Sequence, residues 1–210
     1  PPRYKFRGRE ILFGSNSDGG ENNQIIIIDV TDKANAFKIS SITYNNGGYT
    51  HQGILTEDQR FFLLGDELDE LRYGTPTKTL IFDISRLTSP TSHFNYFAEE
   101  NSIDHNGYVH GSKFYLASYT SGLRVIDISN IQQKNIIEVG YFDTHIDDGH
   151  SHDMRVDFSN RQSDPGEHIG KKGQEIEAFN GAWSVYPFFK SENVIISDIN
   201  SGLFIVKKSN

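Results

Sequence analysis

The 210-residue sequence contains no cysteine, which excludes disulfide scaffolds, iron–sulfur clusters and thiol nucleophiles. The redox compartment stays open, because a cysteine-free protein is at home inside or outside a cell. No apolar run approaches the roughly 18–20 residues of a membrane-spanning helix. Positive charge is scarce as well: 20 Lys and Arg stand against 28 Asp and Glu, a formal net charge of −8. A protein that grips nucleic-acid phosphates needs a basic face, so that class is disfavoured. No segment shows sustained helical periodicity with caps. P-loops, dinucleotide fingerprints and the Gly-x-Ser-x-Gly elbow of serine hydrolases are all missing, and Gly19-Gly20 and Gly47-Gly48 read as hairpin glycines. The chain opens on Pro1-Pro2-Arg3-Tyr4 with neither an initiator Met nor a signal peptide, which reads as a processed or truncated chain.

What the sequence has is apolar β-forming material. Its 15 Phe and 10 Tyr are far more than a disordered chain carries. One phrase recurs: Gln24-Ile25-Ile26-Ile27-Ile28-Asp29-Val30-Thr31, Thr79-Leu80-Ile81-Phe82-Asp83-Ile84-Ser85 and Gly122-Leu123-Arg124-Val125-Ile126-Asp127-Ile128-Ser129. A fourth copy, Gly202-Leu203-Phe204-Ile205-Val206-Lys207-Lys208-Ser209, is altered at its end. Each begins as a β-branched run, and the first three close with Asp, an apolar residue and a hydroxyl, as suits a strand followed by a turn. Asp29 and Asp83 lie 54 residues apart, Asp83 and Asp127 44, and Gly122 and Gly202 80. Periods near 44 match one four-stranded propeller blade, and the spacing of 80 reads as one period plus about 36 inserted residues.

The intervening text fills in those units. Strands are expected at 52–56, 60–65, 79–84 and 93–97, and again at 107–110, 113–118, 123–128 and 136–142. The predicted fold is an all-β propeller of four-stranded antiparallel blades in a single domain. Its units span about 9–44, 50–97, 104–142 and 180–207, with an inserted loop at 144–178. The first and last units are incomplete, which reads as the C-terminal part of a larger propeller. An ordinary β-sandwich is the alternative.

Several further stretches carry a family resemblance. They are Tyr49-Thr50-His51-Gln52-Gly53-Ile54-Leu55-Thr56, running on to Gly65-Asp66-Glu67-Leu68-Asp69-Glu70, then Ile103-Asp104-His105-Asn106, Gly122-Leu123-Arg124-Val125 and Gly181-Ala182-Trp183-Ser184-Val185-Tyr186-Pro187. The sequence resembles the LVIVD-repeat β-propeller proteins of the choice-of-anchor B family over most of its length apart from about 144–178. The resemblance implies a secreted or surface-attached, mostly bacterial propeller without a settled biochemical activity. Members usually carry further blades ahead of this region, and the stretch 143–180 is longer than their usual loop there.

In a four-stranded blade, the start of the innermost strand and the end of the second share one edge. That edge would gather His51, Asp66, Glu67, Asp104 and His105, with Tyr119, Trp183 and Asp198 at matching positions of the other units. Imidazole with carboxylate suits zinc, manganese or iron, whereas carboxylates and carbonyls suit calcium. The competing reading makes His51 and His105 structural ties between neighbouring units. Trp183, Tyr119 and Tyr108 would stack on a sugar or aromatic ligand, or else fill gaps between blades.

The run from Asp66 to Glu70 reads either as a solvated acidic loop or as a calcium site, although it lacks the EF-hand pattern. A second metal candidate is His145, His150, His152 and Asp153, in a segment rich in Gly, Ser and Asn. No organic cofactor is implied. The expectation is a non-enzymatic extracellular or cell-surface binding module, with a metal-dependent enzyme as the alternative. A third reading is a subunit completed by a partner chain.

Overall fold

The computed structural model describes residues 6, 8–17, 22–145 and 178–209. They form an all-β protein of four antiparallel sheets that follow one another along the chain. The first sheet holds β1 (Ile11–Asn16), β2 (Gln24–Asp29) and β3 (Phe37–Thr43). The second holds β4 (Thr50–Leu55), β5 (Phe61–Asp66), β6 (Lys78–Asp83) and β7 (Thr91–Phe97). The third is built from β8 (Gly107–His110), β9 (Lys113–Ala117), β10 (Leu123–Asn130) and β11 (Asn135–Phe142). The fourth has β12 (Ala182–Tyr186), β13 (Val194–Asp198) and β14 (Gly202–Val206). Within each sheet the strands run in chain order, so every connection is a hairpin of the kind antiparallel neighbours allow.

The core lies between consecutive sheets. All six residues of β5 are buried, because alternating side chains point to opposite faces and both faces are covered. Phe61 and Leu63 meet Val109, Phe114, Leu116 and Ile126 of the third sheet. Phe62 and Leu64 meet Ile25 and Ile27 of the first. Between the third and fourth sheets, Ala117 and Leu123 pack on Ala182, Val185 and Ile196. Each fully buried large side chain of this set contributes roughly 1.5–3 kcal/mol. The phenylalanine rings also dictate glycine on the preceding strand: a Cβ at Gly53 would stand 2.2 Å from the Phe62 ring, and one at Gly107 2.3 Å from the Phe114 ring.

The recurring phrase has a physical explanation. Asp29, Asp83 and Asp127 each end their run by accepting the N–H two residues on, from Thr31, Ser85 and Ser129. Each also meets a cation on the neighbouring strand or turn, Arg9, Arg60 and Lys113 respectively. The carboxyls of all three are held below the usual aspartate range. At Asp29 the cause is mainly the Thr31 bonds, and at Asp127 it is Lys113 and then Ser129. At Asp83 partial burial pushes upward, but Ser85 and Arg60 outweigh it. A carboxyl with a depressed folded pKa contributes stability above its unfolded value, near 4, and loses it as pH falls through the folded value. Thermal denaturation followed from pH 5 downward is expected to show falling stability. The triple variant Asp29→Asn, Asp83→Asn, Asp127→Asn should flatten that dependence, and an unchanged slope would refute the assignment.

One helix was not legible in the sequence. The acidic run turns into α1 (Asp69–Tyr73), five residues closed by Gly74 in the left-handed region at φ 65°. A single turn is too short to display helical periodicity. Among the described residues no helix is long and apolar enough to cross a membrane.

Candidate metal centre

The ends of two neighbouring sheets bring one compact group of donors together. His51 sits in β4, Glu67 directly follows β5, and His105 precedes β8 by two residues. One ligand-type atom from each lies within 4.8 Å of the others. His51 Nε2 is 3.7 Å from Glu67 Oε2, and His105 Nε2 is 3.8 Å from Glu67 Oε1. The two imidazoles face each other with centroids 4.6 Å apart and planes inclined by 38°.

Their other nitrogens face backbone carbonyls. His105 Nδ1 lies 2.5 Å from the Trp183 carbonyl oxygen, and His51 Nδ1 lies 3.4 Å from that of His105. A carbonyl only accepts, so Nδ1 of His105 carries a proton, and the neutral form of that ring presents its Nε2 lone pair. Burial lowers the His105 imidazole below its ordinary pKa, opposed by the Trp183 carbonyl and by Glu67. A neutral ring is the form that ligates metal. The two Nε2 atoms point at the Glu67 carboxylate over distances too long for hydrogen bonds. A cation between them would be attracted by all three groups at once, as an imidazolium would be by Glu67.

The surrounding residues hold these three in place. The Tyr119 hydroxyl donates to Glu67 Oε1 at 2.7 Å, and burial followed by that bond pushes the phenol upward. The Tyr119 ring is fully buried, edge-on to Phe179 and to His105. Tyr119 also joins the third sheet to the fourth, its carbonyl accepting the Ala182 N–H at 2.9 Å. The Trp183 indole lies 4.0 Å, centroid to centroid, from the His105 ring yet remains 44% exposed.

Not every expected ligand joins the group. Asp66 is fully buried and committed to the backbone: its oxygens accept the N–H groups of Gly48 and Tyr49 at 2.6–2.9 Å, and the Tyr44 hydroxyl at 2.7 Å. It is an anchor for the turn that Gly47-Gly48 forms, and the metal-ligand expectation for it is corrected on that ground. Asp104 turns inward beside β5, its Oδ2 occupying the space a side chain at Gly65 would need. Burial pushes its carboxyl well up, helped by Asp69, Asp66 and Glu67. It lies outside the group formed by His51, Glu67 and His105.

Asp198 caps the turn after β13 through the Asn200 and Ser201 N–H groups at 2.9 and 2.8 Å, and lies outside the donor group. The solvated-loop expectation for the acidic run is overturned too, since Asp69 and Glu70 are buried and Asp69 pairs with Lys78. Burial raises Asp69 to about 6 despite that partner. In the second candidate set, the His145 N–H donates to Asp143 at 2.9 Å. His150, His152 and Asp153 lie outside the described residues.

The chain matches no family model and no curated protein. A solved structure of a functionally unknown protein from Desulfotomaculum acetoxidans DSM 771 has a similar fold, with a TM-score of 0.50 at 11% identity. The likeness covers 95% of this chain and 61% of that one, so the chain spans about three-fifths of that protein's length. At this identity it speaks to the fold alone.

The sequence named His51, Glu67 and His105 and put Tyr119 and Trp183 near them. The backbone carbonyls facing the two Nδ1 atoms escaped it. They are contributed at positions, not by residue types, and leave no mark in a sequence.

Proposed function

We propose that the protein is a β-propeller binding module that holds one divalent transition-metal ion between His51, Glu67 and His105. The observation that carries this reading is the convergence of His51 Nε2 and His105 Nε2 on the Glu67 carboxylate, with His105 fixed from behind by its Nδ1–H bond to the Trp183 carbonyl. Such backing is the usual support of a metal-binding histidine. Two imidazoles among three donors favour zinc, iron or manganese over calcium, which takes oxygen ligands.

The propeller reading draws support from four consecutive antiparallel sheets whose inner strands are neighbours, β4 packing beside both β1 and β8, and β8 beside β12. Among the described residues, the first and fourth sheets have three strands where the middle two have four. Further strands from a partner chain or from the rest of the parent protein are the corresponding expectation. The resemblance to choice-of-anchor B proteins is the ground for a secreted or surface-attached setting.

Three protein donors also leave coordination positions free, as in catalytic zinc sites. A hydrolytic centre needs a general base at the site as well. Asp66 is committed to backbone N–H groups and Asp104 is fully buried, so binding is the reading adopted.

Elemental analysis of the purified protein, with calorimetric titration of zinc into chelator-treated protein, provides the test. A stoichiometric metal is expected. Glu67→Gln, which removes the charge but keeps the shape, is expected to weaken zinc binding by about 100-fold or more, beyond what supporting residues cost. A parent protein that neither carries nor binds a metal ion would sink the proposal.

A further inference from the structure

We infer that the cleft between the outer strands of the second and third sheets binds an arginine-bearing peptide segment. A cavity of about 420 Å³ opens there, at the end of β7 and the start of β11. Its volume lies within the range of small-ligand sites. Tyr96, Phe97, Glu99 and Glu100 line one side of it, and Ile137 and Glu138 the other. None of these residues belongs to the His51, Glu67 and His105 group, so the inference stands apart from the metal reading.

The cleft already holds one guanidinium, and that contact shows its chemistry. Arg124 of β10 donates from Nη1 to Glu100 Oε1 at 2.6 Å and to Glu138 Oε1 at 3.3 Å. Its guanidinium carbon also lies 5.0 Å from the centre of the Tyr141 ring, in the range of a cation–π contact. One guanidinium against the carboxylates of Glu99, Glu100 and Glu138 leaves two negative charges in excess. Glu100 Oε2 is enclosed without a hydrogen-bond partner, so part of that charge is uncompensated. Neighbouring acids register the same field. Burial, then Glu138, Glu100 and Glu99, push the Tyr96 phenol up to about 12. Burial likewise raises the Glu138 carboxyl although Arg124 opposes it.

These charges attract a cation, and their spacing selects its shape. Glu99, Glu100 and Glu138 form no group with donor atoms within 4.8 Å of one another, as His51, Glu67 and His105 do. A single metal ion cannot reach all three, whereas a planar guanidinium on a long stem spans more. Phe97 and Ile137, 51% and 59% exposed, lie beside the acids and offer apolar surface to that methylene stem. Among the described residues β7 and β11 each end their sheet. Their outer edges therefore present N–H and C=O groups to the main chain of an extended segment. This edge is what favours a peptide over a free amine.

The test follows the anisotropy of a fluorescein-labelled peptide of alternating arginine and serine, at physiological ionic strength to screen diffuse attraction. Saturable binding is expected, with none for the same peptide carrying citrulline, which keeps the shape of arginine without its charge. Glu99→Gln combined with Glu138→Gln should weaken binding about tenfold, the effect of losing two charge contacts at the surface. Glu192→Gln, which removes a charge outside the cleft, should leave the affinity unchanged. Thermal unfolding of each variant confirms that it is folded. Absence of binding to the parent protein overturns the inference, as does an unaltered affinity in the double variant. So do equal binding of the citrulline peptide and equal weakening by Glu192→Gln, which would mean attraction by net charge alone. Spermidine displacing the peptide at concentrations equal to the unlabelled peptide would show that the main chain contributes nothing, and the peptide assignment would fall.

Discussion

Replacing Asp66 by alanine is expected to remove about 3–5 kcal/mol of folding stability, one of the two largest effects predicted for this protein. The carboxylate is fully buried at the end of β5 and satisfies the Gly48 and Tyr49 N–H groups together with the Tyr44 hydroxyl. A buried donor left without its partner costs roughly 1–3 kcal/mol, and here several lose the same acceptor. Water entering the space left by the carboxylate recovers part of that sum. In a chain of this size the loss corresponds to a fall in melting temperature on the order of 10 °C. Asn is a poor rescue, because its amide N–H₂ would confront backbone donors. Denaturant unfolding checks the figure: a change below about 1 kcal/mol, the size of a single ordinary hydrogen bond, would show that the turn does not depend on Asp66.

His105→Ala is expected to lower zinc affinity by at least about 100-fold, since even supporting residues cost 10–100-fold. The variant removes one of three donors. It also releases the Trp183 carbonyl and takes away the ring against which the indole packs. His93 supplies the control. Its Nε2 is bound to the Ile131 carbonyl at 2.9 Å and its ring lies on Phe61, remote from the donor group. His93→Ala is therefore expected to leave zinc affinity unchanged while costing some stability. Isothermal titration of both variants decides the matter. Equal effects would mean that His105 acts through folding and not as a ligand.

Much of the architecture could be read from residues alone. The strands came from apolar runs of Ile, Val, Leu and Phe bounded by turn residues. The third sheet shows this at Gly107–His110, where the expected and observed strands coincide. The phrase ending in Asp29, Asp83 and Asp127 was visible because each Asp performs the same local work, accepting an N–H two residues ahead. Local hydrogen bonding repeats wherever its residues repeat. Helix α1 was hidden for the opposite reason: one turn, rich in acids, reads as loop until Gly74 closes it.

At the site, the sequence could supply the residue types but could not rank the carboxylates. Asp66, Glu67 and Asp104 looked equivalent as potential ligands. Tertiary packing separated them: Asp66 meets backbone N–H groups, Asp104 is buried beside Gly65, and Glu67 alone turns toward the imidazoles. Burial made the same distinction along the acidic run, where Asp69 and Glu70 are covered instead of solvated.

By itself, then, the sequence determined an all-β chain with four repeated strand groups and a short set of candidate donors, because periodicity and turn chemistry are local properties. Which atoms converge was decided only when three sheets packed side by side. His51 and His105 lie 54 residues apart and the carbonyl of Trp183 lies a further 78 away. Their meeting depends on long-range packing of apolar faces, which no local pattern records.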